Sequence, residues 1–313
     1  MRLIMIGTGP FAVPTFQQLF EARHDVALLV TQPLRNHRGK EVEPASAMRG
    51  IAHQHATPIY DPEKINTPEA QQYLAGAGAD LLVVCDYGQI LAPRTLATAR
   101  LGGINLHGSL LPKYRGAGPI QWAIVDGEAR TGVTIMRIDA GLDTGDMLLK
   151  AETEIGPEEN AVELGRRLAL MGADLLVEAL ESVAAGRIVP ERQDGFQATY
   201  APLLKKEDGR IDWSQPAAAI HNRIRGLQPW PGANTFWRGH ALHIWRARPA
   251  AIFGGLPAGA IASVRPLIVA CGTDALELLE LQLEGRKRLT GAEFANGQRL
   301  RENELFGAAN ENE

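Results

Sequence analysis

Short, almost unbroken apolar runs alternate with helical segments over the first two hundred residues, and this alternation leaves few folds open. Residues 3–6, 26–31, 80–85 and 103–107 read as strands, with a helix over 10–21 between the first two. Residues 133–138 and 147–154 extend the same sheet. A strand that is apolar at every position needs cover on both faces, and helices supply it. The expected fold is therefore α/β: a doubly wound, mostly parallel, Rossmann-like sheet. Leu164, Leu168, Met171, Leu175 and Leu180 recur near helical spacing and predict a long helix over 161–184, with Asn160 as its N-cap.

The pattern weakens between residues 196 and 210. The polar stretch Lys205-Lys206-Glu207-Asp208-Gly209-Arg210 marks a boundary, giving expected domains of 1–203 and 204–313. Beyond it a helix over 214–227 leads into Pro229-Trp230-Pro231-Gly232. Five short runs follow, at 233–237, 242–247, 259–264, 267–271 and 275–282, and Arg238-Gly239-His240 closes a hairpin between the first two. Five strands in so short a span suggest a small, OB-like β-barrel.

Composition removes several classes of function. Two cysteines in 313 residues exclude a disulfide scaffold, and Cys85 and Cys271 both read as buried strand residues with no second cysteine near them. No apolar run reaches about 18 residues, and Met1-Arg2-Leu3-Ile4-Met5-Ile6 runs straight into a turn, so no membrane partner is expected and the expected location is cytoplasmic. A net charge of −4 argues against general, field-driven binding of nucleic acid and leaves room for local basic patches; no DNA partner is expected. Two such patches stand out: Arg35, Arg38 and Lys40, and Arg286-Lys287-Arg288 with Arg299 and Arg301.

Chemistry concentrates at Asn105, His107 and Asp143. Asn105 and His107 are two apart at the end of a strand, so their side chains share one face. Open α/β sheets place their sites at that end. An Asn can donate to an oxyanion, a His can move a proton near neutral pH, and an Asp can orient that His. The bland alternative is a satisfied structural His beside a turn-rich loop, Asp139-Ala140-Gly141-Leu142-Asp143-Thr144-Gly145-Asp146. Without a second nearby His, no metal is expected at His107. Gly7-Thr8-Gly9 after the first strand fits a dinucleotide turn, but no acidic residue ends the second strand, and Pro10 removes an amide. It reads as a tight strand-to-helix turn.

Residues 104–119, Ile-Asn-Leu-His-Gly-Ser-Leu-Leu-Pro-Lys-Tyr-Arg-Gly-Ala-Gly-Pro, together with the Asp139 to Asp146 loop, resemble the folate-dependent formyltransferase family. Thr131-Gly132-Val133-Thr134-Ile135-Met136, Ile211-Asp212-Trp213 and Pro229-Trp230-Pro231 extend the resemblance over nearly the whole chain. It implies an enzyme whose formyl donor is 10-formyltetrahydrofolate, without a metal. The acceptor it implies is the α-amine of methionine on initiator methionyl-tRNA, in translation initiation. Asn105, His107 and Asp143 are then catalytic. Tyr87, Gly88, Gln89, Ile90 and Leu91 line the pterin, Ser109, Leu110, Leu111 and Pro112 lie along the folate, and Asp139 and Gly141 join them. Arg38 and Lys40 contact the tRNA, in a loop shorter than in some relatives, where Glu41 stands at a position that is commonly lysine. Other acceptors stay open on the residues alone: an amino-sugar nucleotide, or water with release of formate. A non-catalytic RNA-binding role, with folate bound but not turned over, stays open as well.

Overall fold

The structure, a computed structural model, describes residues 1–34, 43–251 and 255–307. In chain order the first part contains β1 Arg2–Gly7, α1 Ala12–Glu21, β2 Asp25–Val30, α2 Glu43–Gln54, β3 Ile59–Tyr60, α3 Pro68–Gly76, β4 Leu81–Cys85 and α4 Pro93–Leu96. Next come β5 Gly103–His107, β6 Arg115–Gly116, α5 Pro119–Val125, β7 Arg130–Arg137, β8 Met147–Glu154, α6 Ala161–Ala184 and β9 Tyr200–Ala201. The chain divides into two compact units. The N-terminal unit comprises Met1–Pro119, Arg130–Thr153 and Gly165–Pro202.

Its sheet has the order β3-β2-β1-β4-β5-β7-β8. The first five strands are parallel, and β7 runs antiparallel to β5. The chain winds outward from β1 to β3 and then returns to the other side of β1 with β4. The strand order therefore reverses between β1 and β4, which is where such sheets open a crevice at their C-terminal ends. β4, Leu-Leu-Val-Val-Cys, is buried at all five positions, as the continuous apolar run requires. One face packs Ile4, Ile6, Leu28, Val30, Leu82 and Val84 with Leu74 and Leu96. Each such side chain contributes about 2 kcal/mol on burial. In β5 the alternation separates structure from chemistry: Leu106 meets α6 at Gly172, and Asn105 and His107 project from the opposite face. Asn160 caps α6, its side chain accepting from the N–H groups of Val162 and Glu163.

The C-terminal unit holds α7 Ala217–Gly226, β10 Asn234–Trp237, β11 His240–Ala250, β12 Ile261–Val264, β13 Leu267–Ala270, β14 Ala275–Leu283, β15 Leu289–Thr290 and α8 Gly291–Gln298. The strands form one antiparallel sheet, β10-β11-β14-β13-β12, with β15 on β14. The expected hairpin forms, and its turn is the two residues Arg238 and Gly239, with His240 already paired to Trp237. The eleven-residue β11 shifts register against β14 around Arg246, and such bulges increase twist. The sheet curls into a half-barrel over Trp213, Trp237, Leu278, Phe294 and Phe306. Its end strands β10 and β12 do not pair with each other among the described residues, so the expected small barrel takes the form of a half-barrel.

This unit also takes in Ile120–Ala129 and Glu154–Leu164. The buried Arg225 of α7 explains part of that, its guanidinium donating to the carbonyls of Gly156 and Glu159 and to Asn222. Among the described residues no helix is long and apolar enough to cross a membrane.

Candidate active site

The glycine-rich turn after β1 is filled by the protein itself. The backbone N–H groups of Thr8 and Gly9 both donate to the carbonyl of Asp86, at 3.0 and 3.1 Å. The Phe11 N–H bonds to the Asp86 carboxylate. A Cβ at Gly9 would fall 1.7 Å from that carboxylate, so only glycine admits it. Desolvation pushes the Asp86 carboxyl up from its usual range, the Phe11 bond pulling the other way. The amides that would cradle a pyrophosphate are thus bonded to Asp86, in line with the tight-turn reading.

At the end of β5, His107 is 5 % exposed. Its Nε2 lies 2.9 Å from the carbonyl of Tyr114. A carbonyl can only accept, so Nε2 carries the hydrogen, and Nδ1 is the nitrogen at which a proton can come and go. Nδ1 faces Asp143 Oδ2 at 3.7 Å. The same Oδ2 accepts the Gly116 N–H at 2.8 Å. Gly116 adopts φ 119, and a Cβ there would fall 2.6 Å from the Ala201 carbonyl, so this amide can reach Asp143 only from a glycine. Asp143 is itself left-handed, at φ 51. Asn105 is half-buried beside His107, and its amide makes no hydrogen bond among the described residues, leaving both N–H groups for a ligand.

The turn after His107 is stitched internally. Thr134 donates to the Ser109 carbonyl at 2.7 Å and accepts the Leu111 N–H at 3.1 Å, and the Ser109 hydroxyl donates to the Lys113 carbonyl at 2.6 Å. Ser109 and Leu111 are buried, while Leu110 and Pro112 reach the surface in part. In the Asp loop, Asp139 accepts from the Gly141 N–H and the Thr144 hydroxyl and sets the loop's bend.

The loop after β4 emerges next to the end of β5. Tyr87 is buried, and its hydroxyl has no hydrogen-bond partner among the described residues. Burial, with Tyr60 second, pushes this phenol up to about 12, so it stays a donor at neutral pH. An orphaned buried hydroxyl here suits a polar ligand such as a pterin. Gln89 is spoken for: it accepts the Ile65 N–H and donates to the Glu63 carbonyl. Leu91 belongs to the core, while Gly88 and Ile90 are exposed. Arg38 and Lys40 lie outside the described residues.

Sequence reasoning gave no role to the residues that hold the set together: Tyr114, Gly116, Thr134 and Gln193. The first two stand in the Tyr-Arg-Gly run quoted above. Gln193 lies in an irregular segment whose sequence gives no sign of it.

Family models match at residues 1–180, formyl transferase, and at residues 203–299, formyl transferase C-terminal domain. The chain belongs to the formyl transferase family. Among relatives of this formyl transferase, methionyl-tRNA formyltransferase of Solibacter usitatus (strain Ellin6076) is 60 % identical over 308 residues, covering 98 % of this chain and 99 % of that protein. Methionyl-tRNA formyltransferase of Citrifermentans bemidjiense is 45 % identical over 309 residues, covering 98 % and 96 %. The structure of the N-formyltransferase from Helicobacter canadensis with folinic acid and dTDP-3-aminofucose superposes with a TM-score of 0.66. At 17 % identity, over 88 % of this chain and 98 % of that one, it shares the formyl transferase fold.

Proposed function

We propose that this formyl transferase moves the formyl group of 10-formyltetrahydrofolate to the α-amine of methionine on initiator methionyl-tRNA, for translation initiation. The observation that carries this reading is the 60 % identity to a methionyl-tRNA formyltransferase over nearly the full length of both chains. The amine nitrogen attacks the formyl carbon, the carbonyl oxygen becomes an oxyanion, and the bond from that carbon to N10 of the folate breaks. Asn105 donates to the oxyanion with its free amide. The proton lost by the amine reaches N10 through Nδ1 of His107, with Asp143 balancing the charge on the ring. Holding Nε2 on the Tyr114 carbonyl keeps the ring from turning during that transfer.

In this reading Tyr87, Gly88, Ile90 and the backbone of Gln89 and Leu91 border the pterin. Ser109, Leu110, Leu111, Pro112, Asp139 and Gly141 border the rest of the folate. Arg38 and Lys40 meet the tRNA. Residues 1–203 act as the catalytic domain, residues 204–313 as an OB-like tRNA-binding domain, and the enzyme works in the cytoplasm.

The test is transfer of label from 10-formyltetrahydrofolate to methionyl initiator tRNA, beside a control without tRNA. Label on the aminoacyl-tRNA, with no formate in the control, is the expected result. Formate released without tRNA would make the chain a hydrolase, and a protein silent in both assays would refute the acceptor.

A further inference from the structure

Asp143 holds a left-handed conformation, at φ 51, that side chains rarely adopt, and it is held there from two ends. Its carboxylate end is held by the Gly116 N–H. Its backbone end is held by Gln193, whose Nε2 donates to the carbonyls of Asp143 and Gly145, both at 2.8 Å. Gln193 Oε1 in turn accepts from Nε and Nη2 of Arg115, at 3.0 and 2.7 Å. Arg115 and Gln193 are 6 % and 8 % exposed. Guanidinium has donors only, so it forces the amide oxygen toward itself and the amide N–H groups toward the Asp143 loop. Arg115 and Gly116 are adjacent in β6. One short strand therefore grips Asp143 twice, directly through the Gly116 amide and indirectly through Arg115 and Gln193.

A buried guanidinium is bonded more strongly by a carboxylate than by a neutral amide. A glutamate at position 193 would keep the bond to Arg115. Glutamate would turn an acceptor toward the carbonyls of Asp143 and Gly145, and both bonds to the loop would be lost. We infer that Gln193, oriented by Arg115, is a positioning residue that fixes Asp143 against Nδ1 of His107. The inference rests on the catalytic reading of His107 and Asp143.

The experiment compares wild type, His107→Ala, Gln193→Glu and Gln193→Met in the full chain, measuring kcat, the KM for methionyl initiator tRNA, and Tm. For Gln193→Glu the expected result is a KM within about twofold and a kcat at least about tenfold lower, the scale of a misplaced catalytic group, measured well below its Tm. Gln193→Met keeps the length and loses the bonds. It should show the same split between kcat and KM, and it is read by the same criterion if Gln193→Glu melts too low to assay. A Gln193 variant that folds with wild-type kcat, beside an inactive His107→Ala, would overturn the positioning role and leave the site reading intact. An active His107→Ala would overturn the site reading itself, and the inference with it.

Discussion

At the scale of single residues, the division of labour inside His107 organises the site. The Tyr114 carbonyl fixes one ring nitrogen as a donor, and the other is left facing Asp143. In the proposed mechanism, truncating His107 removes the proton path, and truncating Asn105 removes the donor to the oxyanion. Replacing either with Ala should lower kcat by at least about a hundredfold. The KM for tRNA should move little, since neither side chain reads the RNA in this scheme. Steady-state kinetics on folded protein checks both, and near-wild-type turnover in either variant would remove that residue from the mechanism. Asn105, His107 and Asp143 were legible in the sequence because an Asn-x-His at a strand end and an Asp-Gly loop each carry a local signature. Gln193 was not. It lies 50 residues from Asp143 in sequence, on a stretch without periodicity, and only the closed fold brings its amide to the loop.

At the scale of elements, legibility follows burial. β4 was readable because parallel strands covered on both sides carry unbroken apolar runs. The hairpin at Arg238-Gly239 was readable from its turn residues. The half-open curl of the C-terminal sheet was not, because it depends on register shifts in β11 that leave no mark in the pattern of apolar residues. α8 was missed although its start is written in the chain: Thr290 and Glu293 form a reciprocal capping box. The Thr290 hydroxyl accepts the Glu293 N–H, and the Glu293 carboxylate accepts the Thr290 N–H. These bonds hold the Glu293 carboxyl below its usual range. The helix seats Phe294, which is 1 % exposed, in the core of its unit. Thr290→Ala should therefore destabilise the protein by about 1 kcal/mol, the typical loss for an N-cap. Its kcat should stay at the wild-type value. Urea unfolding followed by circular dichroism measures this, and an unchanged midpoint would show that packing of Phe294 alone fixes the helix.

At the scale of the whole molecule, three partly or wholly buried histidines give stability a direction with pH. In the N-terminal unit, burial lowers His24, with the chain's amino terminus adding to the effect and Glu181 opposing it. In the C-terminal unit, burial lowers His221, which is 7 % exposed, assisted by Arg225 and opposed by Glu158 and by a bond to the Ala247 backbone. Burial also lowers His243, against Glu284, and its buried Nδ1 has no hydrogen-bond partner among the described residues. All three rings therefore hold a proton less tightly in the fold than at the ordinary value of 6.5. The unfolded chain takes up protons first as the pH falls, which pulls the equilibrium toward unfolding. Their contribution is complete above about pH 6.5 and drains away as the pH drops toward the lowered folded values. Asp86, raised by desolvation, works in the opposite sense. Tm measured by calorimetry should consequently fall between about pH 7.5 and 5.5. The double replacement of His221 and His243 by Gln should flatten that fall whatever its effect on Tm at neutral pH, because two of these three histidines are gone. An equally steep fall in the double variant would place the acid sensitivity elsewhere in the molecule.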